Sequence, residues 1–194
     1  MYELFFVSSN THKYSEIKSI LKDRITGIDL KFYKQNIIEI QEAKIEKIAI
    51  EKSISAYNIV KKPIIIEDDG LFIKSLNGFP GQYSSYVFKS LGNTGIIKLL
   101  KGNKDRSALF KSVFVYNNGI VKKIFTGQIN GTIATTITPG GWGYDPIFRP
   151  HKMNITFGKL KENNLKNELS HRRIALDKLV KWLNQKKYKK KLLQ

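Results

Sequence analysis

The chain has 194 residues, of which 41% are hydrophobic and none is cysteine, and its 34 basic and 16 acidic residues give a formal charge of +18. This length suits a single compact α/β domain, and the hydrophobic fraction is high enough to form a core, which argues against disorder. The absence of cysteine excludes disulfides, thiolate metal sites and cysteine nucleophiles.

The first seven residues are too short an apolar stretch for a signal peptide and lack a basic leader. Since no apolar run approaches the length of a membrane span, we expect a soluble, cytoplasmic protein without a membrane partner. Lysines are spread along the chain and cluster clearly only in residues 186–191. A positive field attracts polyanions such as nucleoside triphosphates, and nucleic-acid binding is the rival interpretation. We predict one domain over residues 1–185 and a basic tail over 186–194.

In the first part of the chain, predicted strands and helices alternate. A strand is predicted over residues 4–8, a helix over 12–22 and a second strand over 29–34. The best helix pattern covers residues 42–60. Its apolar stripe consists of Ile45, Ile48, Ala49, Ala56, Ile59 and Val60. Lys52 lies on the same stripe, where its side chain either extends along the helix to water or reaches into a cleft.

The later part of the chain is richer in strands. We predict strands over residues 64–66 and 71–74 and a short helix over 96–101. A hairpin of 108–116 and 120–125 around Asn117-Asn118-Gly119 follows, and then a strand over 128–134. The segment 138–150 is predicted to be irregular, and a final helix covers 169–185. Helices at both ends with a hairpin-rich middle indicate a mixed sheet within an α/β fold.

The acidic triplet Glu67-Asp68-Asp69 follows the apolar run Ile64–Ile66 and precedes Gly70. Because a β-branched run predicts a buried strand, we expect these carboxylates at the strand's end, on the rim of a sheet. Adjacent carboxylates repel each other unless a cation holds them, and hard divalent metals prefer oxygen ligands. The triplet by itself therefore indicates either a metal site or a charged turn, with equal weight.

A second candidate site is Ser8-Ser9-Asn10-Thr11-His12-Lys13, at the junction of the first strand and the first helix. Such a junction presents backbone N–H groups and the positive end of a helix dipole, which suits phosphate. The alternative is an ordinary N-cap at Asn10 or Thr11. The segment lacks the Gly-x-x-x-x-Gly-Lys pattern, so it is not a Walker A loop.

Three further positions complete the candidates. Glu39 would add a second carboxylate to a modest Mg²⁺ site, although taken alone it is typical of a solvated loop residue. The segment 140–148 combines glycines with aromatic residues, which either stack on a base or fill the core. Lys166, His171 and Arg172 surround the start of the last helix, where they suit an anionic ligand, although a lone histidine there typically packs beneath the helix.

In this order, the motifs resemble the Ham1-like family of inosine triphosphate pyrophosphatases, the house-cleaning enzymes for dITP and XTP. The matching segments are Ser8 to Lys13 with Glu16, Glu39 with Gln41, Lys52, Glu67 to Leu71, Gly78 to Ser84, Trp142 to Pro146, and Ser170 to Arg172. The resemblance implies an elongated mixed β-sheet flanked by helices, two lobes with a central cleft, and a homodimer.

The resemblance also implies a chemistry, the Mg²⁺-dependent hydrolysis of ITP, dITP and XTP to the monophosphate and pyrophosphate. By the family pattern, Glu39 and Asp68 hold the metal, and Asp68 is also the catalytic base for the attacking water. The residues implied to hold the triphosphate are Ser8, Ser9, Asn10, Thr11, His12, Lys13 and Lys52. Those implied to hold the rest of the nucleotide are Asp69, Trp142, Gly143, Tyr144, Asp145, Lys166, His171 and Arg172.

Two positions depart from this pattern, since many relatives carry Ser or Thr in place of Asp69 and Gly in place of Ser9. The extra charge at Asp69 leaves open which aspartate binds the metal. His171 and Arg172 are donors suited to a 6-keto group, and such a site penalises a 6-amino group by leaving a donor unpaired. A generic metal-dependent phosphohydrolase, releasing phosphate from phosphomonoesters, is a third interpretation.

Overall fold

The computed structural model describes residues 2–22, 24–25, 27–162 and 165–185. Within them the strands are β1 (Tyr2–Ser8), β2 (Ile28–Lys34), β3 (Ile64–Ile73), β4 (Pro80–Gly81), β5 (Ser107–Asn117), β6 (Lys122–Ile133) and β7 (Phe148–Pro150). The helices are α1 (Thr11–Leu21), α2 (Ile45–Val60), α3 (Ser84–Leu99), α4 (Phe157–Glu162), α5 (Lys166–Leu169) and α6 (His171–Asn184). The predicted basic tail, 186–194, lies outside the described residues.

The strands form one seven-stranded sheet in the order β2-β1-β3-β5-β6-β7, and β4 pairs with β3. Strand β1 is parallel to both β2 and β3, whereas β4 is antiparallel to β3 and β7 is antiparallel to β6. The predicted mixed α/β fold is therefore confirmed. None of the helices in the described ranges is long and apolar enough to cross a membrane.

The chain divides into two compact units. The first takes its described residues from Met1–Asp68, Ser112–Gly127 and Arg172–Gln194, and the second from Asp69–Lys111 and Gln128–His171. In the first unit, apolar side chains of α1 and α6 pack with those of β1, β3 and β5 around residues such as Phe6, Ile17, Phe114 and Leu176. The core of the second unit contains Leu71, Ile96, Phe110, Phe148 and Phe157 among others. The predicted single domain over 1–185 stays a prediction.

Most predicted helices and strands are present, with several differences. The two strands predicted over 64–66 and 71–74 are one strand, β3, and the segment predicted to be irregular over 138–150 ends in β7. The helix predicted over 96–101 is the end of the longer α3, in which Gly92 (φ +60°) interrupts the helical backbone. The two strands predicted over 120–125 and 128–134 are a single strand, β6. Ile59, placed on the apolar stripe of α2, is 47% exposed, and that assignment was wrong.

The acidic triplet lies inside a strand and not at its end, so the expectation of a sheet rim was wrong. Strand β3 continues through Glu67, Asp68 and Asp69 to Ile73. It pairs with β1 at Ile64 and Ile65 and with β4 from Leu71 onward, and the triplet lies between these two paired stretches.

Gly70 allows β3 to continue beyond the triplet. An added Cβ at this position would lie 2.4 Å from the carbonyl oxygen of Gly81, so only glycine lets β4 approach this closely. The Ser84 hydroxyl accepts from the backbone N–H of Leu71 at 2.8 Å and donates to the carbonyl of Gly81 at 2.6 Å. Gly70 and Ser84 therefore hold β3 and β4 together.

We predict that Gly70→Ala lowers the free energy of unfolding by about 1–3 kcal/mol, because the added methyl group meets backbone that cannot rotate away. Urea denaturation measures the change. The control is Ser85→Ala, an exposed position on α3, which we expect to change stability by less than about 0.5 kcal/mol. Equal effects of the two substitutions would contradict the close approach.

Candidate functional site

The geometry of β3 distributes the three acidic side chains. Because successive strand residues point to opposite faces, Glu67 and Asp69 share one face of the strand and Asp68 lies on the other. Their partners differ accordingly. Asp68 lies near Lys52 of α2, at 3.8 Å between Oδ2 and Nζ, whereas Glu67 contacts side chains of α1 and α6. A single strand thus directs neighbouring carboxylates to different partners.

Lys52 brings together the two carboxylates that the sequence predicts as metal ligands. Its ammonium donates to Glu39 Oε1 at 2.7 Å and lies 3.8 Å from Asp68 Oδ2. The Lys52 side chain is only 13% exposed, so it does not simply extend into water. In the part of the chain that the structure describes, no group of three or more His, Cys, Asp or Glu side chains is placed to hold a metal ion. The role of Glu39 and Asp68 as metal ligands stays a prediction.

The junction between β1 and α1 has the expected helix start. Asn10 is the N-cap of α1, since its Oδ1 accepts from the backbone N–H of Lys13 at 3.2 Å. The backbone N–H of Asn10 in turn donates to Ser8 Oγ at 3.1 Å. Ser9, Thr11 and His12 are exposed at this junction. The N-cap alternative at Asn10 is confirmed, and the phosphate role of the segment stays a prediction.

Arg172 is the centre of a buried ion-pair network in the first unit. It is 1% exposed, its Nε donates to Glu67 Oε1 at 2.8 Å, and its Nη1 donates to Glu16 Oε2. The Ser112 hydroxyl donates to the same Glu67 oxygen at 2.6 Å, and Lys13 Nζ lies 3.7 Å from Glu67 Oε2. Two buried carboxylates thus face two cations, which keeps the cluster close to neutral.

A second buried ion pair organises the loop before β7 in the second unit. Lys166 Nζ donates to Asp145 Oδ2 at 2.7 Å, and both side chains are almost fully buried. The same carboxylate oxygen accepts from the backbone N–H of Trp142 at 3.1 Å. Lys166 Nζ also lies 5.3 Å from the centroid of the Trp142 ring, a cation–π distance. Asp145 therefore fixes this loop, and its predicted role toward the nucleotide stays a prediction.

The aromatic residues of this loop differ in burial. Tyr144 is 4% exposed, and its hydroxyl donates to the carbonyl of Ser84 at 3.1 Å. Burial raises the pKa of Tyr144 well above its ordinary value, so its phenol remains a neutral donor. Phe148 is fully buried, whereas Trp142 is partly exposed. Core packing therefore holds for Tyr144 and Phe148, and Trp142 keeps part of its ring surface available.

His171 begins α6 and is 2% exposed. Its Nε2 lies 3.8 Å from Asp69 Oδ2, and its ring stacks on Phe110, with 4.6 Å between centroids. Sequence reasoning missed Phe110 and Ser112, because each reads as an ordinary strand residue until its partner is known. The structure thus brings His171 to Asp69, and the role of both toward a substrate stays a prediction.

The fold and these residues define a mixed α/β protein whose candidate residues are carboxylates, lysines and an arginine joined in ion pairs. The chain belongs to the Ham1 family, whose model matches residues 4–182. This match covers the candidate residues from Ser8 to Arg172.

Individual relatives agree over nearly the full chain. A dITP/XTP pyrophosphatase of Korarchaeum cryptofilum is 43% identical over 180 residues, which cover 93% of this chain and 95% of the relative. A dITP/XTP pyrophosphatase of Methanosarcina mazei is 41% identical, with 94% and 97% covered. The solved structure of a HAM1 protein from Coxiella burnetii superposes with a TM-score of 0.80 at 29% identity, covering 94% of this chain and 98% of that one.

We predict that Arg172→Met lowers the free energy of unfolding by about 3–5 kcal/mol, because it leaves Glu16 and Glu67 buried without their guanidinium partner. Arg173→Met is the matched control. Arg173 pairs with Asp177 at 2.9 Å, but Asp177 is about half exposed, so we expect a loss of less than about 1 kcal/mol. Urea denaturation of both variants measures the difference, and similar losses would show that burial of the Arg172 network is unimportant.

Proposed function

We propose that this protein hydrolyses the non-standard purine nucleoside triphosphates ITP, dITP and XTP to the monophosphate and pyrophosphate, with Mg²⁺ as cofactor. The observation that carries the proposal is the pair of carboxylates, Glu39 and Asp68, that face the ammonium of Lys52. The names of relatives that align with more than nine-tenths of the chain support the substrate class. The proposal includes a cytoplasmic homodimer that removes these nucleotides from the pool.

The donor set suits magnesium. Mg²⁺ prefers oxygen ligands and is usually bound by one or two carboxylates, with water and substrate phosphate oxygens as its other ligands. Glu39 and Asp68 would hold it, and the side chain of Glu39 is half exposed and accessible to an entering ion. When bound, Mg²⁺ would neutralise phosphate charge and help to orient the phosphoryl group.

The reaction requires a water molecule to attack the α-phosphorus while the bond to the bridging oxygen of the pyrophosphate breaks. In our proposal Asp68 accepts the proton of that water, since it is a carboxylate with limited exposure whose position is fixed by β3. Lys13 and Lys52 stabilise the negative charge that develops on the phosphate oxygens. The leaving pyrophosphate carries the electron pair of the broken bond.

In this proposal, His171 and Trp142 of the second unit select the base. His171 donates toward the 6-keto oxygen of hypoxanthine or xanthine, and a 6-amino group at that position would leave the donor unpaired. Trp142 offers its partly exposed ring for stacking, and the Lys166–Asp145 pair holds the Trp142 backbone in place. Arg172 contributes mainly through position, because its Nε and Nη1 already donate to buried carboxylates.

We predict pyrophosphate release from ITP, dITP and XTP in the presence of Mg²⁺, at rates well above those with ATP and GTP. A coupled pyrophosphate assay measures this directly, with p-nitrophenyl phosphate as the control for a generic phosphohydrolase. Equal rates on all five nucleotides would contradict the predicted specificity for ITP, dITP and XTP. Release of phosphate from the phosphomonoester without pyrophosphate release would favour the generic enzyme, and salt-dependent oligonucleotide binding without turnover would favour the nucleic-acid rival.

We predict that Asp68→Asn lowers kcat at least about 100-fold, the usual minimum contribution of a general base, while the protein remains folded. Asp29→Asn is the matched control, since Asp29 is an exposed carboxylate of β2 in the same unit and should retain full activity. Retained activity in Asp68→Asn would assign the base role elsewhere, first to Asp69.

We predict that Glu39→Gln raises the Mg²⁺ concentration required for activity and weakens Mn²⁺ binding measured by electron paramagnetic resonance.

A further inference from the structure

The ring of Phe110 lies flat against the imidazole of His171. The two centroids are 4.6 Å apart and the ring planes differ by only 6°. Both residues belong to the second unit and both are buried, with 6% of Phe110 and 2% of His171 exposed. Rotating the imidazole about χ2 would drive its edge into the phenyl face, so this contact fixes the plane of the imidazole.

Phe110 is itself held by neighbouring rings. Phe148 meets it edge-on, at 4.7 Å between centroids and 64° between planes, and Phe157 packs at 6.1 Å. Gly131 leaves the space for Phe148, since an added Cβ there would lie 2.6 Å from the tip of that ring. The phenyl face that contacts His171 is therefore fixed from behind and cannot move away from the imidazole.

We propose that Phe110 is a positioning residue for base recognition, acting through His171. The inference rests on the proposed function, in which His171 donates to the 6-keto oxygen of the base. A hydrogen bond weakens steeply as its angle departs from linearity. If the imidazole plane could rotate, the hydrogen bond from His171 to the 6-keto oxygen would therefore be weaker. Binding of the triphosphate involves other residues and is not weakened in the same way. Phe110 therefore acts on the discrimination between bases.

The test compares Phe110→Leu with Phe114→Leu. Phe114 is fully buried on the same strand, in the core of the first unit, so its substitution removes the same ring without altering the contact to His171. We expect Phe110→Leu to lower the ratio of kcat/KM for ITP to that for ATP about tenfold, the order expected from one weakened hydrogen bond. Phe114→Leu should leave this ratio unchanged even where it lowers stability equally.

Two more variants keep the test decisive if Phe110→Leu folds poorly. Phe110→Met retains much of the side-chain volume without a flat face, so it should also lower the ratio of kcat/KM for ITP to that for ATP. Phe110→Tyr retains the flat ring and should preserve most of this ratio. An unchanged ratio in both the Leu and the Met variants overturns the proposal. A ratio that falls equally in the Tyr variant overturns it too, because the flat face would then not be the determinant.

A readout independent of turnover separates this inference from the proposed function. The chain has three histidines, so the His171 ring signals in a ¹H–¹³C spectrum can be assigned with one His171→Gln variant. We expect these signals to broaden or split in Phe110→Leu as the imidazole samples several planes, and to stay single in Phe114→Leu. If the wild-type protein does not prefer ITP over ATP, the proposed function fails, and the spectrum still decides whether Phe110 holds the imidazole.

Discussion

The first unit depends on one buried guanidinium. Arg172, at the start of α6, binds Glu16 of α1 and Glu67 of β3, so one side chain joins three elements. Burying these three charged groups is unfavourable unless every charge has a partner, and loss of a single partner leaves an uncompensated charge in the interior. This requirement fixes the direction of Glu67. Because side chains alternate between the two faces of a strand, Asp68 then points to the opposite face, where Lys52 lies.

Three consecutive carboxylates therefore have three different cationic or polar partners. Glu67 pairs with Arg172, Asp68 faces Lys52 and Asp69 faces His171. A helix would not separate neighbours in this way, because its period of 3.6 residues places consecutive side chains about 100° apart. A strand sends them to opposite faces. In the proposed enzyme Asp68 would hold the metal and accept the proton of the attacking water. Asp69 lies 3.8 Å from Nε2 of His171, the histidine proposed to read the base.

The periodic elements could be predicted from the sequence, and the buried charges could not. Helices α1, α2 and α6 follow from apolar residues at helical spacing, and most of these residues are buried. The acidic triplet was expected at the end of a strand because charged residues seldom continue a buried strand. It does so here because Arg172 lies 105 residues away in sequence, and no local pattern indicates such a partner. Phe110 was missed for the same reason, since its function depends on His171, a residue of a different element.

The excess of positive surface charge affects the rate at which a polyanion meets the protein, whereas the buried ion pairs do not. Of the two aromatic residues that the nucleic-acid interpretation uses, Tyr144 is buried and bonded to Ser84, whereas Trp142 is partly exposed. Surface charge is screened over roughly 10 Å at 0.1 M salt, so dispersed lysines raise the rate of encounter with any polyanion equally. In the proposed enzyme, discrimination between purines would then come from groups that water does not screen, with the buried His171 as the donor.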